Sequence, residues 1–171
     1  MLFQRLLDKL AEEIMEKVHM TPEGLKILEE ELKKLKFVER PAVVAAIAAA
    51  RALGDLSENA EYHSAKDKQG FIEGRIRELE SKLSRAEVID IKKLEGTSVK
   101  FGATVTIFDE TADEEIAYRI VGVDEADIKK KLLSVEAPLA RALIGKVVGD
   151  ETELETPSGK KKYEVVKIEY I

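Results

Sequence analysis

The 171-residue chain contains no cysteine, no tryptophan and only two histidines, His19 and His63. The absence of cysteine excludes a disulfide framework and a thiolate metal site, and two histidines are too few for a typical zinc site. No apolar run approaches the roughly 20 residues that a membrane-spanning helix needs. We therefore expect a cytoplasmic protein without a membrane partner.

Aromatic residues are also scarce, at 5% of the chain, whereas hydrophobic residues reach 44% and charged residues 36%. This composition allows one or two folded cores and suits a long solvated helical element. The net charge of −6 argues against wholesale adhesion to nucleic acid, although it leaves room for local basic patches. No nucleophile elbow, phosphate-binding loop or dinucleotide fingerprint is present.

Residues 1–19 show an amphipathic pattern that predicts a short extra N-terminal helix. The segment lacks the basic start and the small-residue cleavage site of a signal peptide, and we assign it no role. Its apolar stripe consists of Leu2, Phe3, Leu6, Leu7, Leu10 and Ile14.

Residues 20–92 predict two antiparallel helices that form a coiled-coil hairpin. Thr21 and Pro22 make a strong helix start, with threonine as the N-cap and proline in the first turn. Pro41 predicts a kink or a break in the incoming helix. The outgoing helix carries a heptad seam, which is typical of a coiled coil. The seam consists of Tyr62, Ala65, Gln69, Ile72, Ile76, Leu79, Leu83 and Ala86.

The two helical patterns meet at an acidic tip, residues 54–58. Gly54 suits the positive φ that closes a helix, and Asp55 can cap the next helix with Glu58 completing a capping box. The same carboxylates, with Glu61 close behind, are oxygen ligands of the kind that Mg²⁺ prefers when another molecule supplies the rest. Capping and metal binding both remain open, and a cap would hold the acids rigidly.

Basic residues lie on both sides of this tip. Arg51 precedes it, and Lys66, Lys68 and Arg75 follow on the outgoing helix. Such cations can steer a phosphate backbone toward the acids, but they also fit the ordinary charge of a solvated helix. We interpret His63 as a surface or packing residue.

After a linker at residues 90–97 the pattern changes to strict alternation, which predicts a small, mostly antiparallel sheet. The fold class is therefore α+β, with the helical hairpin first and a sheet domain at residues 97–171. A short helix at residues 138–144 begins with proline and ends before Gly145. Strands are predicted at residues 99–107, 115–123, 151–155 and 162–170, and residues 127–135 are ambiguous between helix and strand.

The stretch LGDLSENAEYHSAKDKQGFIEGRI, residues 53–76, resembles the tip and outgoing helix of bacterial Gre-type transcript cleavage factors, the GreA/GreB family. The likeness continues in order through ERPAVVAAIAAARALGDL, KFGATVTI and YEVVKIEYI, and it covers roughly residues 20–171. It implies an FKBP-like fold for the C-terminal domain. Residues 1–14 have no counterpart in the family pattern.

The resemblance implies a transcription elongation factor that enters the secondary channel of bacterial RNA polymerase. There it would stimulate the polymerase's own cleavage of backtracked nascent RNA. Asp55 and Glu58 would share a Mg²⁺ with the polymerase active site and orient the attacking water. The partners would be the polymerase, at its channel and rim, and the 3′ end of the RNA. The chain itself would be a monomer that binds no cofactor alone and is not an enzyme.

Other residues take supporting roles by the same resemblance. Arg51 and Lys66 would face the RNA. The family often has arginine at position 66 and a basic residue at position 57, where this chain has Lys66 and Ser57. The basic patch is therefore modest and resembles that of the GreA branch, which favours short backtracks. The tip would be supported by Gly54, Asn59, Glu61 and Tyr62. Docking to the polymerase would involve Glu136, Ala137 and Pro138.

Two alternatives remain. A Gre-homologous inhibitor would occupy the same channel without promoting cleavage, and its tip would differ from the D-x-x-E pattern that is intact here. A prolyl isomerase or chaperone would use the FKBP-like domain, which has few aromatic residues to line a pocket. They are Phe101, Phe108, Tyr118, Tyr163 and Tyr170.

Overall fold

The computed structural model describes residues 17–54, 57–157 and 159–171. These residues form two compact units. The first contains residues 17 and 18 and Leu25–Ala86, and the second contains His19–Gly24 and Glu87–Ile171. This division differs from the predicted segments 1–19, 20–92 and 97–171. Residues 19–24 join the second unit because the backbone N–H of Thr21 donates to Glu125 Oε1 at 2.9 Å, and its hydroxyl donates to Oε2 of the same carboxylate.

The predicted N-terminal helix falls mostly on residues 1–16, which lie outside the described residues. Its last part is wrong, because Val18–Met20 form strand β1, which pairs with β2 (Ala86–Val88). The N–H of Val18 donates to the Arg85 carbonyl at 3.0 Å, and the N–H of Ile89 donates to the Met20 carbonyl at 2.9 Å. Pairing with a segment about 70 residues away thus overrides the local helical pattern.

The first unit is a helical hairpin. The incoming side consists of α1 (Pro22–Lys34), a π-helical turn (Leu35–Glu39) and α2 (Arg40–Ala52), and the outgoing side is α3 (Ala60–Ser84). The predicted start of α1 is confirmed, because Thr21 Oγ1 accepts the N–H of Gly24 at 3.0 Å. None of the helices in the described ranges is long and apolar enough to cross a membrane.

The predicted interruption at Pro41 takes the form of the π-helical turn. The N–H of Arg40 bonds to the carbonyl of Leu35, five residues earlier, and Pro41 then sits in the first turn of α2. Proline has no N–H and its ring crowds the carbonyl four residues before it. Widening the preceding turn accommodates that ring, so the helical path continues through the site.

The two sides of the hairpin pack along an apolar seam. The middle of the predicted heptad is buried, its ends are half-buried, and Ala86 lies beyond the helix in β2. Fully burying one such aliphatic side chain contributes about 1.5–3 kcal/mol, so the seam holds the two sides together. The buried hydrophobic positions are Leu28, Leu35, Val43, Ile47 and Ala50 on the incoming side and Ile72, Ile76 and Leu79 on the outgoing side.

Ion pairs across the seam set the register of the two sides. Arg40 donates to both carboxylate oxygens of Glu73 at 2.7 and 2.6 Å. Arg75 donates to both oxygens of Glu31 at 2.7 and 2.9 Å and also contacts Glu78 at 2.9 Å. Two-pronged guanidinium–carboxylate pairs are strong and directional, so a shift of one helix along the other would break both.

These pairs make the stability of the hairpin dependent on pH. Hydrogen bonds from Arg75 and Arg40 lower the pKa of Glu31 and Glu73, and those from Lys82 and then Arg75 lower the pKa of Glu78. A lowered folded-state pKa contributes stability above the unfolded value and loses it as pH falls through the folded value. We therefore expect the free energy of unfolding to decline as pH falls below about 4.5.

Urea unfolding followed by helical circular dichroism at a series of pH values measures this decline. The double variant Glu31→Gln, Glu73→Gln is the control, and it should lose less stability on acidification than the parent. Equal losses in the parent and the double variant would show that the cross-seam pairs do not cause the pH dependence.

The second unit is built on five strands, β3 (Thr104–Asp109), β4 (Glu114–Val121), β5 (Leu132–Ser134), β6 (Glu151–Thr156) and β7 (Gly159–Glu169). They form one sheet with the order β5-β4-β3-β7-β6. The prediction of a mostly antiparallel sheet is confirmed with one correction, because β4 and β5 are parallel. One short helix, α4 (Pro138–Leu143), accompanies the sheet.

All four predicted strands are present, but their bounds differ from the predictions by up to five residues. The first predicted strand begins at Thr104 instead of Val99, because Gly102 turns the chain with a φ of 83°. The ambiguous residues 127–135 divide into a 3₁₀ turn, Ile128–Lys130, followed by β5. One face of β3 and two residues of α4 contribute side chains to the hydrophobic core of the unit. This core includes Val105, Ile107, Ile120, Ala140, Leu143 and Val165. The FKBP-like character of the domain stays a prediction.

Within the second unit, Glu125 contacts residues 21–24, and Gly24 leaves room for its carboxylate. The carboxylate accepts the N–H and hydroxyl of Thr21 and, at 3.3 Å, the N–H of Gly122. A Cβ at Gly24 would lie 2.2 Å from Glu125 Cδ. We expect Gly24→Ala to displace the carboxylate and to lower the free energy of unfolding by about 1–3 kcal/mol, as measured by urea denaturation.

Gly70→Ala is the matched control for this prediction. A Cβ at Gly70, within α3, meets nothing within 4 Å. That variant should be more stable than the parent by about 0.5–1 kcal/mol, since alanine favours the helix over glycine. The close approach at Gly24 would be refuted by a Gly24→Ala protein as stable as the parent.

Candidate functional site

The acidic residues lie in the tip loop, residues 53–59, which joins α2 to α3. Gly54 has a φ of 114°, which confirms the positive φ predicted for the residue that closes the helix. Asp55 and Leu56 lie outside the described residues, so the role of Asp55 stays a prediction. Glu58 is described, and its side chain is exposed.

The predicted capping box is wrong, because the N-cap of α3 is Asn59. Its backbone is extended, with φ −82° and ψ 93°, and its Oδ1 accepts the N–H of Tyr62 at 2.9 Å. Its Nδ2 donates to the carbonyl of Ala50, on α2, at 2.8 Å. A carboxylate cap could not donate this second bond. Since α3 begins at Ala60, Glu58 lies before the cap and not at the third helical position.

The first turn of α3 also contacts the last turn of α2 and the tip loop. The guanidinium carbon of Arg51 lies 5.7 Å from the centroid of the Tyr62 ring, a cation–π contact. The ring of His63 meets that of Tyr62 edge-on at 5.6 Å between centroids. His63 Nε2 lies 3.3 Å from the carbonyl oxygen of Ser57. Sequence reasoning missed this last contact, which joins residues six positions apart.

The basic residues near the tip divide into two groups. Arg51 and Lys66 are exposed, and Lys66 Nζ donates to Gln69 Oε1 at 3.0 Å. Arg75, in contrast, is held by Glu31 and Glu78 across and along the hairpin. Arg75 is therefore a structural cation. Lys68 is exposed as well, and Arg51 and Lys66 are the predicted RNA contacts.

Glu58 is the described residue of the predicted metal site at the tip. In residues 17–54, 57–157 and 159–171, no group of three or more histidine, cysteine or acidic side chains is placed to hold a metal ion. The exposed carboxylate of Glu58 can offer hard oxygen ligands, which suits Mg²⁺. The described residues therefore fit a divalent ion only if another molecule contributes the remaining ligands.

The segment expected to dock on a partner, residues 136–138, leads into the first turn of α4. Ala137 is the N-cap residue of this helix, with φ −60° and ψ 142°, and Pro138 occupies its first turn. The N–H of Glu136 donates to Ser134 Oγ at 3.2 Å, and the N–H of Ala137 donates to the Ser134 carbonyl at 2.9 Å. These bonds fix the segment to the end of β5 while the side chains of Glu136 and Pro138 stay exposed.

Comparisons with known proteins match both halves of the chain. The family model described as "Transcription elongation factor, N-terminal", of GreA and GreB, matches residues 18–88. The model described as "Transcription elongation factor, GreA/GreB, C-term" matches residues 94–170.

Individual relatives are similar over nearly their whole length. Transcription elongation factor GreA of Phenylobacterium zucineum is 61% identical over 157 residues, which cover 92% of this chain and 100% of the relative. GreA of Ruegeria pomeroyi is 62% identical over 156 residues, which cover 91% and 99%. The solved structure of GreA factor homolog 1 (Gfh1) of Thermus thermophilus is 27% identical, with coverage of 90% and 99% and a TM-score of 0.43.

Proposed function

This chain belongs to the GreA/GreB family of transcription elongation factors, and we propose that it stimulates cleavage of backtracked nascent RNA by bacterial RNA polymerase. The observation that carries the proposal is the exposure of Glu58. This residue lies in the loop between two packed helices, directly before the N-cap residue Asn59, and takes no part in the cap. A carboxylate in that place is available to another molecule's catalytic centre.

The hairpin would bring the tip loop into the polymerase's secondary channel. There Asp55 and Glu58 would complete the ligands of a Mg²⁺ ion shared with the polymerase and would orient the attacking water. The bound ion supplies a polarised phosphoryl oxygen and a water that loses its proton more readily. The protein would therefore act as a cofactor of the polymerase's endonuclease and not as an enzyme alone, and it would bind no metal by itself.

Further contacts would hold the two molecules and the RNA in place. Arg51 and Lys66 would contact phosphates at the 3′ end of the extruded RNA, since cations are the main source of affinity for a phosphate backbone. Glu136, Ala137 and Pro138 would dock at the rim of the channel. One copy of the chain would suffice for these roles.

The direct test is an elongation complex stalled in a backtracked position, incubated with Mg²⁺ in the presence and absence of the protein. The proposal requires release of a short 3′ fragment at a higher rate with the protein, followed by renewed RNA extension. RNA without polymerase should stay intact. Slower nucleotide addition without cleavage would instead identify a channel-binding inhibitor.

A further inference from the structure

Two side chains from the start of α3 hold the tip loop, and neither is needed as a ligand or an acid in the proposed cleavage. Asn59 reaches across to α2, with Nδ2 2.8 Å from the Ala50 carbonyl oxygen. His63 reaches back to the loop, with Nε2 3.3 Å from the Ser57 carbonyl oxygen. The two contacts lie on either side of Glu58 in the chain.

We propose that Asn59 and His63 are positioning residues that determine where the tip loop presents Glu58. The proposal rests on the proposed function, since it concerns the placement of a carboxylate that acts in another protein's active site. Catalytic geometry is demanding, and a misplacement of about 1 Å can lower a rate by up to 100-fold. A loop attached only through its ends would sample many positions, whereas these bonds hold it at Ser57 and at Asn59.

An asparagine side chain suits position 59 because it can accept one hydrogen bond and donate another at the same time. Its Oδ1 caps α3 through Tyr62 N–H, and its Nδ2 binds the other helix of the hairpin. Serine and aspartate cap helices about as well as asparagine. Aspartate has no donor for the bond to Ala50, and the serine hydroxyl, although it is a donor, lies one bond closer to the backbone than the amide nitrogen and does not reach the carbonyl. The two functions of Asn59 can therefore be separated by substitution.

Histidine at position 63 can be tested in the same way. In the tautomer with the proton on Nε2, the ring donates to the Ser57 carbonyl, and the edge contact with Tyr62 helps to hold the ring in place. Glutamine carries a donor at a similar distance from its backbone, whereas leucine has none. At 3.3 Å this bond is longer than that of Asn59, so we expect a smaller effect from its loss.

The experiment compares Asn59→Ser, Asn59→Asp, His63→Gln and His63→Leu with the parent and with Asp67→Asn. Asp67 is an exposed acid further along α3 and serves as the control. Three quantities are measured: the cleavage rate in a saturated backtracked complex, competition for polymerase binding, and hydrogen exchange of the amides of residues 57–59 in the free protein.

Both Asn59 variants should lower the saturated cleavage rate by about 10-fold, and His63→Leu by about 3-fold, with polymerase binding unchanged. The loop amides of these variants should exchange faster, while α3 keeps its helical signal. His63→Gln and Asp67→Asn should match the parent. If Asn59 only capped the helix, the Asn59→Ser and Asn59→Asp variants would keep the parental cleavage rate and the parental exchange of the loop amides.

The inference is overturned if the Asn59 variants keep both the parental cleavage rate and the parental loop exchange, or if their cleavage falls only as far as polymerase binding falls. Should the parent itself fail to stimulate cleavage, the proposed function fails. Hydrogen exchange in the free protein would still decide whether Asn59 and His63 hold the loop.

Discussion

Glu58→Gln is expected to lower stimulated RNA cleavage on the order of 100-fold, about 2.7 kcal/mol in transition-state stabilisation, while binding to the polymerase persists. The amide keeps the size of the side chain but removes the negative charge that a divalent ion needs. Since Glu58 is exposed and lies outside the helix cap, the substitution should not disturb the hairpin. Cleavage of RNA in a backtracked complex at saturating protein is the measurement.

Asp67→Asn is the control for this prediction, because it removes one negative charge from an exposed position on α3 without touching the tip. It should leave the cleavage rate within about twofold of the parent. Asp55→Asn should reduce cleavage as Glu58→Gln does. Full cleavage with both tip acids neutralised would exclude their proposed role.

Asp109→Ala is expected to destabilise the second unit by about 3 kcal/mol. Asp109 is only 4% exposed, and it accepts the N–H groups of Thr111 and Ala112 at 2.9 and 3.1 Å. Lys161 Nζ lies 3.1 Å from its other oxygen. Burial raises the pKa of Asp109, but the bonds from Lys161, Ala112 and Thr111 outweigh it, so the pKa is lowered overall. Removal would leave three donors without this acceptor.

Urea unfolding followed by tyrosine fluorescence measures this loss, since three of the four tyrosines belong to the second unit. Asp109→Asn is the matched variant. It keeps an acceptor for the turn but removes the charge that Lys161 binds, so we expect a smaller loss of about 1 kcal/mol. An alanine variant within 0.5 kcal/mol of the parent would contradict the importance assigned to this buried carboxylate.

Much of the hairpin follows from signals that act over a few residues. Thr21 and Pro22 begin α1 as predicted, and Gly54 takes the positive φ that closes α2. The heptad pattern correctly predicts that Ile72, Ile76 and related positions are buried. Each signal works because it depends on the local geometry of one helix, which stays the same whichever element packs against that helix.

The cap of α3 could not be predicted in this way. Asp55 and Asn59 are both good N-cap residues, and the capping-box pattern favours Asp55. Asn59 is the cap because its amide also reaches the Ala50 carbonyl, a bond that exists only after the two helices have packed. The correction bears on function, since it leaves Glu58 outside the helix.

The amino-acid sequence alone determined the α+β class, the helical hairpin with acids at its tip, and the family. Only the tertiary structure decided that Arg75 is bound to Glu31, that β5 runs parallel to β4, and that residues 18–20 form a strand. The physical reason is the same in each case. Turn and helix preferences are properties of neighbouring residues, whereas these outcomes depend on partners distant in the chain.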